Sequence, residues 1–86
     1  MAMVTVRYWA AAKQATGIAE ENLAAGTLAE MLAAVIARHP AAPALGEVLA
    51  RSSFLVDGEQ AGIRPPESVT LRDGAVVEVL PPFAGG

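Results

Sequence analysis

The 86-residue chain has no cysteine, which excludes disulfide bridges, thiolate metal sites, a cysteine nucleophile and a cysteine persulfide. Its single histidine, His39, excludes a His-only metal cluster and leaves a Ser-His-Asp triad without support in so apolar a chain. Independent catalysis is therefore not expected. Charged residues make up only 17% of the chain, against about 25% in an average globular domain. The six basic residues, Arg7, Lys13, Arg38, Arg51, Arg64 and Arg72, are dispersed, and the net charge is -3. Nucleic-acid binding needs a basic stripe to neutralise phosphates, so none is expected. No apolar run approaches the ~18–20 residues of a membrane span, and no basic segment precedes an apolar run at the N-terminus. A cytoplasmic protein without membrane attachment follows as the expectation.

What is abundant is apolar: 53% of residues, much of it alanine. A chain of this size buries about 60–65% of its unfolded surface and supports one core. A sparsely charged surface suits a partner that covers part of it, while alanine inflates the apolar count without making adhesive area; the two readings are balanced.

Residues 3–9, Met-Val-Thr-Val-Arg-Tyr-Trp, alternate as a first strand, with Val4, Val6 and Tyr8 on one face and Thr5, Arg7 and Trp9 on the other. The alanine-rich stretch to Gly17 reads as a connection with room for one helical turn. Residues 18–23 form a second strand with Glu20, Glu21 and Asn22 facing water. After Gly26, Thr27-Leu28-Ala29-Glu30 has the pattern of a capping box, and Leu28, Met31, Leu32, Val35 and Ile36 follow at helical spacing as one apolar stripe. Arg38 and His39 suit the negative end of that helix, and Pro40 stops it. Residues 43–51 make a short second helix or a structured loop. Phe54-Leu55-Val56 leads into an Asp57-Gly58 hairpin turn with 59–61 as the return arm. A surface loop over 62–67, docking by Val69 and Leu71, and a turn at Asp73-Gly74 then precede the last strand, 75–80.

That last strand is apolar on both faces apart from Glu78. It therefore belongs in the middle of the sheet, and the right-handed crossover rule lets it lie parallel to the first strand. The expected fold is α+β: a β-grasp, or ubiquitin-like, mixed sheet of four to five strands packed on one main helix, over residues 1–80. Residues 81–86 form an extended, flexible Gly-Gly tail. Pro81 and Pro82 lack N–H donors and hold φ near one value, so they end sheet pairing and direct the tail outward. Six residues at about 3.3–3.6 Å each reach about 20 Å. Gly85 and Gly86 have no Cβ, so they fit a slot too narrow for other residues.

The chain resembles the sulfur-carrier family of ubiquitin-like β-grasp proteins, and within it the small subunits of molybdopterin synthase. The resemblance rests on Val-Arg-Tyr-Trp-Ala at 6–10, the Thr27-capped helix, Leu-Arg-Asp-Gly at 71–74 and Leu-Pro-Pro-Phe-Ala-Gly-Gly at 80–86. It departs at Val56-Asp57-Gly58-Glu59, where Val-Asn-x-Glu is common, and in a longer loop around Pro65-Pro66. The resemblance implies that an ATP-dependent, ubiquitin-activating-like adenylyltransferase activates Gly86, with ATP and Mg belonging to that enzyme and no cofactor bound by the chain. A sulfur-donor enzyme then converts Gly86 to a thiocarboxylate, which gives its sulfur to a pyranopterin precursor in the large subunit of the synthase. Leu80, Pro81, Pro82, Phe83, Ala84 and Gly85 are the implied partner-binding residues, Phe83 as an apolar anchor. Lys13 stands where the family often has a basic residue. A heterotetramer of two small and two large subunits is implied. Carriers for thiamin, cysteine or tRNA thiolation, a ubiquitin-like modifier and a β-grasp interaction module remain the alternatives.

Overall fold

The computed structural model describes residues 2–82. Five strands, β1 (Met3–Tyr8), β2 (Glu20–Ala24), β3 (Ser53–Val56), β4 (Glu59–Gln60) and β5 (Val76–Leu80), form one sheet in the order β2-β1-β5-β3-β4. As its composition predicts, β5 is central: it runs parallel to β1 and antiparallel to β3. Val77 and Val79 are fully buried, and with Val4, Val6 and Tyr8 of β1 they form the inner face of the sheet.

The main helix, α2 (Leu28–Arg38), lies over that face through Leu28, Met31 and Val35. Its cap departs from the expected reciprocal pair in one respect. Thr27 Oγ1 accepts from the Glu30 N–H at 3.1 Å, but the Glu30 carboxylate reaches back to the N–H of Gly26, 2.7 Å away, one residue before the cap. The stripe is also narrower than its spacing suggests. Leu32 is half-buried and Ile36 is 48% exposed, while Leu28, Met31 and Val35 are buried.

Two further helices join it. The alanine-rich stretch is a seven-residue helix, α1 (Ala10–Thr16), instead of a connection with one turn; three alanines favour helix strongly, and Gly17 at φ 77° closes it with its N–H on the Lys13 carbonyl. Residues 45–51 are helix α3 (Leu45–Arg51), which contacts α1 beside the end of the sheet. Strand β2 begins two residues later than its sequence suggests, after a bend at residues 17–19.

Two turns hold the entry to β5. Asp57 and Gly58 both have positive φ, as a two-residue hairpin requires, and Asp57 Oδ1 accepts from the Val76 N–H at 2.9 Å. Asp73 Oδ1 accepts from the Met3 N–H at 2.8 Å, while Gly74 at φ 87° donates its N–H to the Met3 carbonyl. The loop after β4 ends in a single 3-10 turn over residues 66–68, and Val69 and Leu71 beyond it are buried as expected. Among the described residues no helix is long and apolar enough to cross a membrane.

Candidate functional site

The sheet's central strand delivers the chain to the exit point of its C-terminal segment. Leu80 is the last residue of β5, half-buried on the outer face; Pro81 is half-buried and Pro82 exposed. Phe83, Ala84, Gly85 and Gly86 lie outside the described residues. Proline ends the ladder here because it offers no N–H to β1 or β3.

Around that exit the structure brings the expected Leu80 and Pro81 together with Trp9 and Ala10, for which the sequence alone indicated no binding role. Trp9, 49% exposed, forms with Ala10, Leu80 and Pro81 an apolar hollow of about 310 Å³. A smaller hollow of about 110 Å³ on the other side of Pro81 and Pro82 is lined by Ala11 of α1 and by Val48 and Arg51 of α3. Backbone geometry holds this corner: the Trp9 N–H donates to the Val79 carbonyl at 3.3 Å, and Ala10 starts α1 at φ 47°. A positive φ at alanine costs free energy that surrounding contacts have to offset. The signal for Trp9 was present in the β1 alternation, which put it on the same face as Thr5 and Arg7; its approach to Leu80 comes from the parallel pairing of β1 with β5.

The outer face itself is mixed. Val76, Glu78 and Leu80 of β5 alternate with the buried Val77 and Val79, and Arg7 and Leu55 are the cross-strand partners of Glu78. Trp9 Nε1–H donates to Glu78 Oε1 at 3.2 Å. Arg7 Nε lies 3.4 Å from Glu20 Oε1, with both side chains about half exposed. Val76 and Leu80 therefore belong to the accessible face rather than to the core.

Behind β1, on the inner side, lies a polar cluster. Glu21 points inward instead of facing water: its Oε2 accepts from Tyr8 Oη at 2.5 Å and from His39 Nε2 at 2.7 Å, and its Oε1 from Arg38 Nη1 at 3.1 Å. Burial pushes the Glu21 carboxyl up, but the hydrogen bonds from His39, Tyr8 and Arg38 outweigh it and hold the group below its usual range. Burial, reinforced by the bond and charge of Glu21, raises the Tyr8 hydroxyl far above its ordinary value. His39 thus does more than complement a helix end: it ties the C-terminus of α2 to β2, with its ring edge-on to Tyr8 at a centroid distance of 6.2 Å. Spacing along the chain could not reveal this, since Tyr8, Glu21 and His39 meet only through the sheet and helix packing.

Among the described residues no group of three His, Asp or Glu side chains is placed to hold a metal. Lys13 is exposed on α1 and has no ion-pair partner among the described residues. The arrangement offers a firmly held exit strand, an apolar corner beside it and an accessible sheet face.

Comparison with known proteins agrees with that geometry. The ThiS family model matches residues 6–86. The molybdopterin synthase sulfur carrier subunit of Chlamydomonas reinhardtii is 33% identical, with 96% of this chain and 98% of that protein covered. Among solved structures, the small archaeal modifier protein 1 of Methanosarcina acetivorans superposes with a TM-score of 0.83 at 23% identity, covering 100% of this chain and 98% of that one. A chain of the complex of subunits 1 and 2 of the molybdopterin-converting factor of Helicobacter pylori superposes with a TM-score of 0.67 at 25% identity, covering 98% and 99%. The match over nearly the whole chain and the β-grasp topology lead to one conclusion: the chain belongs to the ThiS family, with the ubiquitin-like fold of the sulfur carriers, and is akin to the small subunit of molybdopterin synthase.

Proposed function

We propose that this chain supplies sulfur for molybdenum cofactor biosynthesis, with the carboxylate of Gly86 as the group that carries it. The observation that carries this reading is the near full-length similarity to a protein named as a molybdopterin synthase sulfur carrier subunit. The complex formed by the Helicobacter pylori relative supports a large synthase subunit as the partner. Residues 1–80 act as the folded holder and residues 81–86 as the tail that enters the partner.

A free α-carboxyl is ionised at neutral pH, since its pKa is about 3.5, and an ionised carboxyl is a poor electrophile. An adenylyltransferase using ATP and Mg would attach AMP to one carboxyl oxygen of Gly86 and release pyrophosphate. A hydrosulfide-level sulfur then attacks the carbonyl carbon and AMP leaves. Where the donor is an enzyme persulfide, the attack leaves an acyl disulfide that a second thiol must cleave, forming a disulfide on the donor side and releasing the thiocarboxylate. The thiocarboxylate sulfur is a soft nucleophile for the pyranopterin precursor held by the large subunit. Leu80, Pro81 and Pro82 would line the start of the docking surface, followed by Phe83, Ala84 and Gly85 along the partner's channel. The chain contributes position, and its partners contribute the catalysis.

Intact-mass measurement after incubation with the activating enzyme, ATP and a sulfur donor is expected to show one oxygen-to-sulfur exchange. An unchanged mass with an activating enzyme proven on this chain would sink the reading. A ladder of larger conjugates would point to a protein modifier instead. Deleting Gly86, or adding a residue after it, is expected to abolish sulfur transfer while the melting temperature stays unchanged.

A further inference from the structure

We propose that Glu78 and Trp9 together form a recognition point for an arginine side chain of the large synthase subunit, placed in the centre of the outer sheet face. The inference deepens the functional reading above and rests on it for the identity of the partner.

The charges on this face run in a row across the sheet. Glu20 of β2, Arg7 of β1 and Glu78 of β5 are successive cross-strand partners, and Leu55 of β3 follows. The signs are therefore minus, plus, minus, then apolar. Arg7 is taken by Glu20 at 3.4 Å, and no ion pair to Glu78 exists among the described residues. The surplus negative charge of the row thus sits on the central strand. Its immediate neighbours on the same face are Val76 and Leu80, both apolar and half-buried.

A carboxylate in such a place is costly to cover with an apolar partner, because docking removes its water without replacing the lost hydrogen bonds. A cation on the partner removes that cost and completes the row. Two features favour arginine over lysine. Trp9 Nε1–H holds Glu78 Oε1 at 3.2 Å, whereas no hydrogen bond to Oε2 is formed among the described residues. The half-exposed indole beside it offers a π-face. A planar guanidinium can bond to the carboxylate and stack on the ring at once, which an ammonium does less well. The position also fits the proposed docking: Leu80 and Pro81 form the Trp9 hollow, so a partner receiving the tail covers Glu78 as well.

Two experiments test this. The first needs no partner: the wild-type chain, labelled for NMR, is titrated with acetyl-arginine amide while the Trp9 indole N–H signal is followed. A saturable shift that Glu78→Gln removes is expected, with acetyl-lysine amide giving a smaller one; no shift in the wild type overturns the proposal. The second measures binding to the large synthase subunit of the same organism by calorimetry. Glu78→Lys is expected to weaken binding at least about tenfold, and Glu78→Gln less, with a shallower salt dependence. Trp9→Phe, which keeps a ring but loses the donor, is expected to fall between them. Unchanged melting temperatures exclude misfolding as the cause. Binding of Glu78→Lys within about twofold of wild type overturns the proposal. A wild-type chain that responds to arginine but does not bind the large subunit counts against the functional reading, while the arginine site itself stands.

Discussion

Replacing Glu21 with alanine removes the acceptor that joins β1, β2 and the end of α2. Its carboxylate accepts from Tyr8, His39 and Arg38, and its side chain is only 12% exposed. Hydrogen bonds to a charged group contribute about 1.5–3 kcal/mol each when buried. The Arg38 contact counts for little, because that guanidinium is 50% exposed and water screens it. Alanine also leaves the hydroxyl of Tyr8, a residue only 2% exposed, without its partner. Part of that loss is recovered by water entering the space, so the net destabilisation is about 2–4 kcal/mol, below the sum of the separate bonds. Urea unfolding followed by circular dichroism measures this, and the corresponding fall in melting temperature is roughly 10–25 °C for a domain of this size. A cycle of Tyr8→Phe and Glu21→Gln is expected to show coupling of about 0.5–3 kcal/mol. Stability of Glu21→Ala within about 0.5 kcal/mol of wild type, or additive single changes in the cycle, would refute the assignment of this cluster as a structural brace.

Acid should weaken the same brace. The folded-state value of Glu21 lies below its ordinary one, so its contribution is complete above the unfolded pKa of about 4.3 and is lost as pH falls through the lower folded value. Unfolding curves across the acid range are expected to show that loss for the wild type and to lack it for Glu21→Gln. Met31→Ala, at a fully buried position under the sheet, is expected to cost about 2–5 kcal/mol, whereas Ile36→Ala on the same helix changes stability by about 0.5 kcal/mol or less. Equal effects at the two positions would contradict the packing of α2.

Much of the fold was legible because it depends on neighbours along the chain. The alternation in β1, the Thr27 cap, the Asp57-Gly58 and Asp73-Gly74 turns and the apolar β5 each express a local rule, and together they imply a central last strand. The single turn expected before Gly17 extends to seven residues because alanine, the strongest helix former, fills four of them. Glu21 was misplaced for a different reason. Strand alternation assigns faces by period two, and a charged residue on the inner face looks like an error until three donors from other elements surround it.

The order of the strands, the main helix, the absence of thiol chemistry and the Pro81-Pro82 break that ends the sheet could all be read from the chain. Those properties belong to composition and to residues within a few positions of each other. What stands beside that break depends on packing between distant parts of the chain. Trp9, Ala10, Leu80 and Pro81 are separated by about seventy residues of chain, and parallel pairing of β1 with β5 makes them one corner. That pairing and the antiparallel pairing of β3 with β5 set Glu78 between Arg7 and Leu55, and packing of α2 on the sheet brings His39 to Glu21. Contacts of that kind depend on register and on how layers are stacked, which no local pattern encodes.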